Sequence, residues 1–89
     1  MVQTAICDYV KDGDVFKTKR NVWIRLARVN APRIEIPQGQ KARKILGSLI
    51  LQKAITYEVV ATDRDGRIVA EVWVDTTNVN DYMRGQGYC

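Results

Sequence analysis

Asp12-Gly13-Asp14, Arg25, Asn30-Ala31-Pro32-Arg33 and Asp63-Arg64-Asp65-Gly66-Arg67 put carboxylates and arginines in the proportions that phosphodiester chemistry uses. A phosphodiester is an anion whose hydrolysis builds further negative charge on phosphorus oxygens, so a hydrolase needs cations to meet that charge and a group to activate water. Arg25 and Arg67 suit the first role, because a planar guanidinium grips two phosphate oxygens at once. Asp12 and Asp14 begin a hard-cation site, although such ions take several oxygens. Arg33 can meet charge but cannot activate water, since it is permanently protonated and accepts no proton. Plainer readings stand beside these. The two aspartates also suit a hairpin turn that caps its own backbone, and Arg25 suits a strand face where it pairs with Asp14 or Glu71. The chain has no histidine, which removes the commonest general base and transition-metal ligand and sets aside zinc chemistry and Ser-His or Cys-His catalysis.

The elements that must position these residues follow from periodicity. Residues 3–10 and 15–19 flank Lys11-Asp12-Gly13-Asp14, and Asp-Gly between apolar runs predicts a hairpin. Residues 21–29 alternate, with Val22, Ile24 and Leu26 on one face and Trp23, Arg25 and Ala27 on the other. Residues 30–39, carrying Pro32, Pro37 and Gly39, read as a loop. From Gln40 the period changes: Ala42, Ile45, Leu46, Leu49 and Ile50 form one apolar stripe on a helix of about three turns. Lys41, Arg43 and Lys44 lie off that stripe, as a solvated face or a phosphate-facing patch. Residues 54–61 and 67–74, rich in Val, Ile, Tyr and Trp, predict two more strands joined by Thr62 to Gly66. Residues 78–85 read as a short helix with Val79, Tyr82 and Met83 inward, ended at a glycine. Five strands with a helix between the third and fourth is the order of an OB-fold barrel, mainly β with helices (α+β), in a single domain over 1–89.

Composition agrees with one small soluble domain: 89 residues, 46% apolar and 27% charged. No apolar run approaches the roughly 18 residues of a membrane span, and the N-terminus lacks the layout of a signal peptide, so a cytoplasmic location, or a leader already removed, is expected. Cys7 and Cys89 sit at opposite ends, the first expected as a buried small hydrophobe and the second as an exposed thiol. A net charge of +4 favours anionic partners, nucleic acid among them.

Residues 10–87 resemble the staphylococcal nuclease (thermonuclease) family. Its strings V-x-D-G-D-T, R-L, D-[AT]-P-E, T-D-[KR]-Y-G-R, V-N and R-Q-G stand here as Val10 to Val15, Arg25-Leu26, Asn30 to Arg33, Thr62 to Arg67, Val79-Asn80 and Arg84 to Gly87. The resemblance implies an OB-fold and a Ca2+-dependent nuclease of DNA or RNA. It makes Asp14 a calcium ligand, with Asp12 beside it, and Arg25 and Arg67 the phosphate-gripping arginines. It also exposes departures. Asn30 replaces the second metal aspartate and lowers the expected Ca2+ affinity. Arg33 replaces the general-base glutamate, with Glu35 as a substitute in the same loop. Asp65 replaces a nucleotide-contacting tyrosine, and the sequence ends at Tyr88-Cys89, where the family continues to another tyrosine and a last helix. Trp23, Trp73 and Tyr57 are other aromatics, expected to pack in the core or on the barrel. Without the last helix, uncovered apolar surface makes a homodimer an expectation. Three readings follow: a degraded site that binds nucleic acid or another anion with little or no hydrolysis, an active Ca2+-dependent nuclease with a substituted base, and a non-enzymatic interaction or dimerisation module.

Overall fold

The computed structural model describes residues 2–89. Period-two alternation yields β1 (Val2–Val10), β2 (Val15–Thr18), β3 (Trp23–Leu26), β4 (Ala54–Thr62) and β5 (Ile68–Val74), with α1 (Pro37–Ile50) between β3 and β4; β6 (Thr77–Asn78) and α2 (Val79–Gly85) follow. β1 serves two neighbours: Val2 to Ile6 pair antiparallel with β4, and Cys7 to Val10 with β2. β2 pairs with β3, β4 with β5, and a parallel register from Ile24↔Ile68 to Leu26↔Ala70 joins β3 to β5. That last pairing closes five strands into the expected OB-fold barrel and removes its open edges. Phe16, Ile24, Leu26, Ile55 and Val72 fill it, with Leu46 and Ile50 from α1 and Val79 and Met83 from α2. Among the described residues no helix is long and apolar enough to cross a membrane.

Three local features differ from the sequence expectation. Pro37 opens α1 instead of lying in a loop, because a first-turn proline needs no N–H partner and has its φ already set. Gly39 is buried in that first turn, and a Cβ there would fall 1.8 Å from the Arg33 carbonyl oxygen, so the loop can lie on the helix only at a glycine. β3 stops at Leu26, and Arg28 takes φ 57° as the chain leaves the barrel. In β1 the register shifts between Cys7↔Thr18 and Tyr9↔Lys17. The extra residue, Asp8, breaks the alternation, so Cys7 is buried while Tyr9 turns outward and Val10 inward. Burial also pushes the Cys7 thiol up to about 11, whereas Cys89 is exposed, as the sequence suggested. Tyr57 belongs to the core, but Trp23 lies at the surface.

Asn80, fully buried on α2, accepts from the Val72 N–H (2.9 Å) and donates to the carbonyls of Ala27 and Ala70 (3.0 Å each) and to Glu71 Oε2 (3.3 Å). One amide thereby joins α2, β5 and the exit of β3. Truncating it leaves buried partners unmet, which costs about 3 kcal/mol. Asn80→Ala is therefore expected to lower the free energy of unfolding measured in urea by about that amount, and a midpoint equal to wild type would contradict this role.

Candidate functional site

The β1–β2 turn is wound tightly, with the N–H groups of Lys11 and Asp12 both donating to the Val15 carbonyl (3.0 and 3.3 Å) and Asp12 Oδ1 accepting from the Asp14 N–H (3.1 Å). Asp12 thus caps its own turn. A Cβ at Gly13 would meet Ala42 Cβ at 2.5 Å and Ala31 Cβ at 2.6 Å, so the turn is pressed against α1 and the loop after β3. The Leu26 N–H donates to the Asp14 carbonyl (2.8 Å), which fixes the Asp14 backbone against β3. From that anchor Asp14 Oδ2 accepts from the Ala31 N–H (3.3 Å) and stands 3.8 Å from Arg25 Nη2, and the same nitrogen donates to Asn30 Oδ1 (3.1 Å). Asp14, Arg25 and Asn30 therefore come together. Arg25's ion-pair partner is Asp14; Glu71 instead serves Asn78, Asn80 and Arg84.

This cluster holds its own cation. Asp14 and Asn30 offer one carboxylate and one amide oxygen, and both already face Arg25 Nη2. Among the described residues no three Asp, Glu or Cys side chains gather as a group that could hold a metal ion. Burial, with the hydrogen bond and negative charge of Asp12 behind it, pushes the Asp14 carboxyl up to about 7; Ala31 and Arg25 oppose the shift without cancelling it.

The second arginine is held by a separate turn. Asp63 Oδ1 accepts from the N–H groups of Asp65 and Arg67 (2.9 Å each), Asp63 Oδ2 from Arg67 Nε (2.7 Å), and Asp65 Oδ2 from Arg67 Nη2 (3.3 Å). Partial burial raises the Asp63 carboxyl, but these Arg67 and Asp65 hydrogen bonds outweigh it and hold it below the usual value. Since Ile24 pairs with Ile68, Arg67 lies beside Trp23, and the two share a cleft of about 360 Å³ with Lys11, Val15 and Asp65. Arg25 lies two residues along the same face of β3 from Trp23. The Arg33 and Glu35 side chains, 81% and 67% exposed, pair with each other at 3.9 Å.

Two further residues shape the site from behind. Arg84 Nη1 donates to the Ala27 carbonyl (2.9 Å), while its Nη2 contacts Asp81 and Glu71. The Asn30 N–H donates to the Tyr88 carbonyl (3.2 Å). The string Arg84 to Gly87 marked the first of these positions in the sequence and stops one residue before the second, but did not show that they hold the segment presenting Asn30.

The raised Asp14 carboxyl sets a pH dependence. Between the unfolded value near 3.8 and the folded value near 7, the folded chain binds more protons, so stability falls as pH rises through that window, by at most about 1.4 kcal/mol per pH unit from this group. In metal-free buffer Asp14→Asn is expected to exceed wild type in urea midpoint at pH 8 and to lose that advantage below about pH 4. A variant less stable than wild type at pH 8 would contradict the assignment.

Comparison with known proteins matches residues 23–89 to the family model described as staphylococcal nuclease homologue. An "Uncharacterized endonuclease" of Haemophilus influenzae is 33% identical over 82 residues, covering 88% of this chain and 46% of that protein. One of the same description from Escherichia coli is 35% identical over 78 residues, covering 83% and 51%. A "Probable staphylococcal-like nuclease CAN1" of Oryza sativa is 31% identical over 64 residues, covering 72% and 19%. The chain spans about half the length of the bacterial relatives. With the closed five-stranded barrel and the gathered Asp14, Arg25 and Asn30, these matches establish that the chain belongs to the staphylococcal nuclease homologue family.

Proposed function

We propose that this domain holds the phosphodiester backbone of a nucleic acid between Arg25 and Arg67 and hydrolyses it poorly or not at all. The observation that carries the second half is the exposed Arg33–Glu35 pair. Where the family resemblance places a proton acceptor there is a permanent cation, and the nearest carboxylate in the loop is paired with it. A base must reach the proton it removes with hydrogen-bond geometry, and neither residue joins the Asp14, Arg25 and Asn30 cluster. The binding half rests on two guanidiniums already ordered by their own carboxylates. Phosphate takes the place of the outer partner, Asp65, whose side chain is 75% exposed, while Asp63 keeps the guanidinium oriented. Calcium at this site must compete with a proton on Asp14 and with Arg25 for Asn30, so its affinity is low.

The names of the bacterial relatives favour a second reading, a competent nuclease. Cleavage of labelled single-stranded DNA and RNA in excess Ca2+ decides between the two. Wild type is expected to show no Ca2+-dependent cleavage, and Arg33→Glu combined with Asn30→Asp to gain it by roughly a hundredfold over background. Ca2+-dependent cleavage by wild type that disappears in Arg67→Ala would establish the competent nuclease instead. Binding at low salt is expected to weaken roughly tenfold in Arg67→Ala and to fall as salt rises. Absence of any binding at low salt would leave only an interaction module.

A further inference from the structure

We propose that the outward face of β1, β2 and β3 is a base-stacking platform for single-stranded nucleic acid, built from Tyr9 and Trp23 and set beside the phosphate site. The proposal rests on the reading that Arg25 and Arg67 hold the backbone of the same strand. Tyr9 and Trp23 are 44% and 37% exposed, and neither belongs to the core cluster. The bulge at Asp8 is what turns Tyr9 out; unbroken alternation from the buried Cys7 would have sent it into the barrel. Registers Tyr9↔Lys17 and Lys17↔Trp23 then set the three side chains in one row across adjacent strands. The two rings meet edge to face, with centroids 6.3 Å apart and planes at 87°, so stacking surface is offered in two orientations.

Cations accompany both rings. Lys17 Nζ lies 5.8 Å from the Trp23 ring centroid, and Arg43 Cζ lies 5.8 Å from that of Tyr9, with Arg43 Nε fixed to the Val10 carbonyl at 2.9 Å. At one end the row runs into the cleft of Trp23 and Arg67, and at the other into a cavity of about 660 Å³ between β1 and α1, where Tyr9 meets Arg43 and Lys44. The acids in these two hollows are Asp65 and Asp8, so cations prevail along the row. Aromatic faces interleaved with Lys and Arg match a ligand that alternates bases with phosphates, and every base has a face to stack without regard to sequence. A purely apolar partner would leave these cations unmatched.

Fluorescence anisotropy with a labelled oligothymidylate and with an abasic strand of equal length tests the platform. Tyr9→Ala and Trp23→Ala are each expected to weaken oligothymidylate binding roughly tenfold while leaving the abasic strand unaffected; Trp23→Phe is expected to keep most of the affinity. Equal losses for both strands, or no loss for either, would overturn the proposal. Wild type that binds both strands equally would also overturn it while the phosphate reading stood; wild type that binds neither would overturn both. The folded near-ultraviolet spectrum of each variant guards against a trivial loss.

Discussion

The Ala27 carbonyl accepts from two side chains of α2, the buried Asn80 amide at 3.0 Å and the Arg84 guanidinium at 2.9 Å, and the placement of the candidate site residue Asn30 depends on this junction. Ala27 is where the chain leaves the barrel after β3, and Arg28 follows with a left-handed φ. From there the chain reaches Asn30, whose N–H is held by the Tyr88 carbonyl just beyond α2. An exit loop would otherwise be free to move, because loops bury little and tolerate change. Here a buried amide with every polar atom satisfied, backed by Glu71 and Asp81 around Arg84, holds it to the helix. The short C-terminal helix is therefore part of the site's foundation. Gly13 and Gly39 complete it from the other side, since any side chain at either position would push the turn or the loop away from α1.

The electrostatics of the site are those of a self-neutralised cluster. Arg25 lies between Asp14 and Asn30, and Arg67 between Asp63 and Asp65. The partners differ in strength. Asp63 is partly buried and receives two backbone N–H groups besides the guanidinium, whereas Asp65 reaches Arg67 from an exposed position. Exposed ion pairs contribute little, typically below about 1 kcal/mol, so Asp65 is the weaker of the two holds on Arg67. Such an arrangement orders the two arginine side chains through carboxylates of their own.

Much of the fold is legible in the sequence because it rests on local pattern: alternation marks the strands, Asp-Gly the hairpin, and Ala42, Leu46 and Ile50 the buried stripe of α1. Pro37 misleads because a proline signals both the end of regular structure and the first turn of a helix, and only packing decides. The Asp8 bulge is invisible for a related reason: it breaks the period that reveals a strand, and with it the outward placement of Tyr9. Asp14, Arg25 and Asn30 stand out through short motifs, and the fold brings them together. Asn80 and Arg84 are visible as motif letters only, because a buried amide takes its meaning from the carbonyls that tertiary structure supplies. Asp63 is visible only as one letter of the Thr62-to-Arg67 string, since nothing in a turn sequence shows that its carboxylate will grip Arg67.

The most direct measurement is a crystal structure of the domain with Ca2+ and a nucleoside bisphosphate. The expected result is a phosphate bridged by Arg25 and Arg67, with Asp65 released, Asp63 still bonded to Arg67 Nε, and little or no calcium beside Asp14. A phosphate bound elsewhere, with Arg67 still clasped by both Asp63 and Asp65, would contradict the assignment of these two arginines as the site.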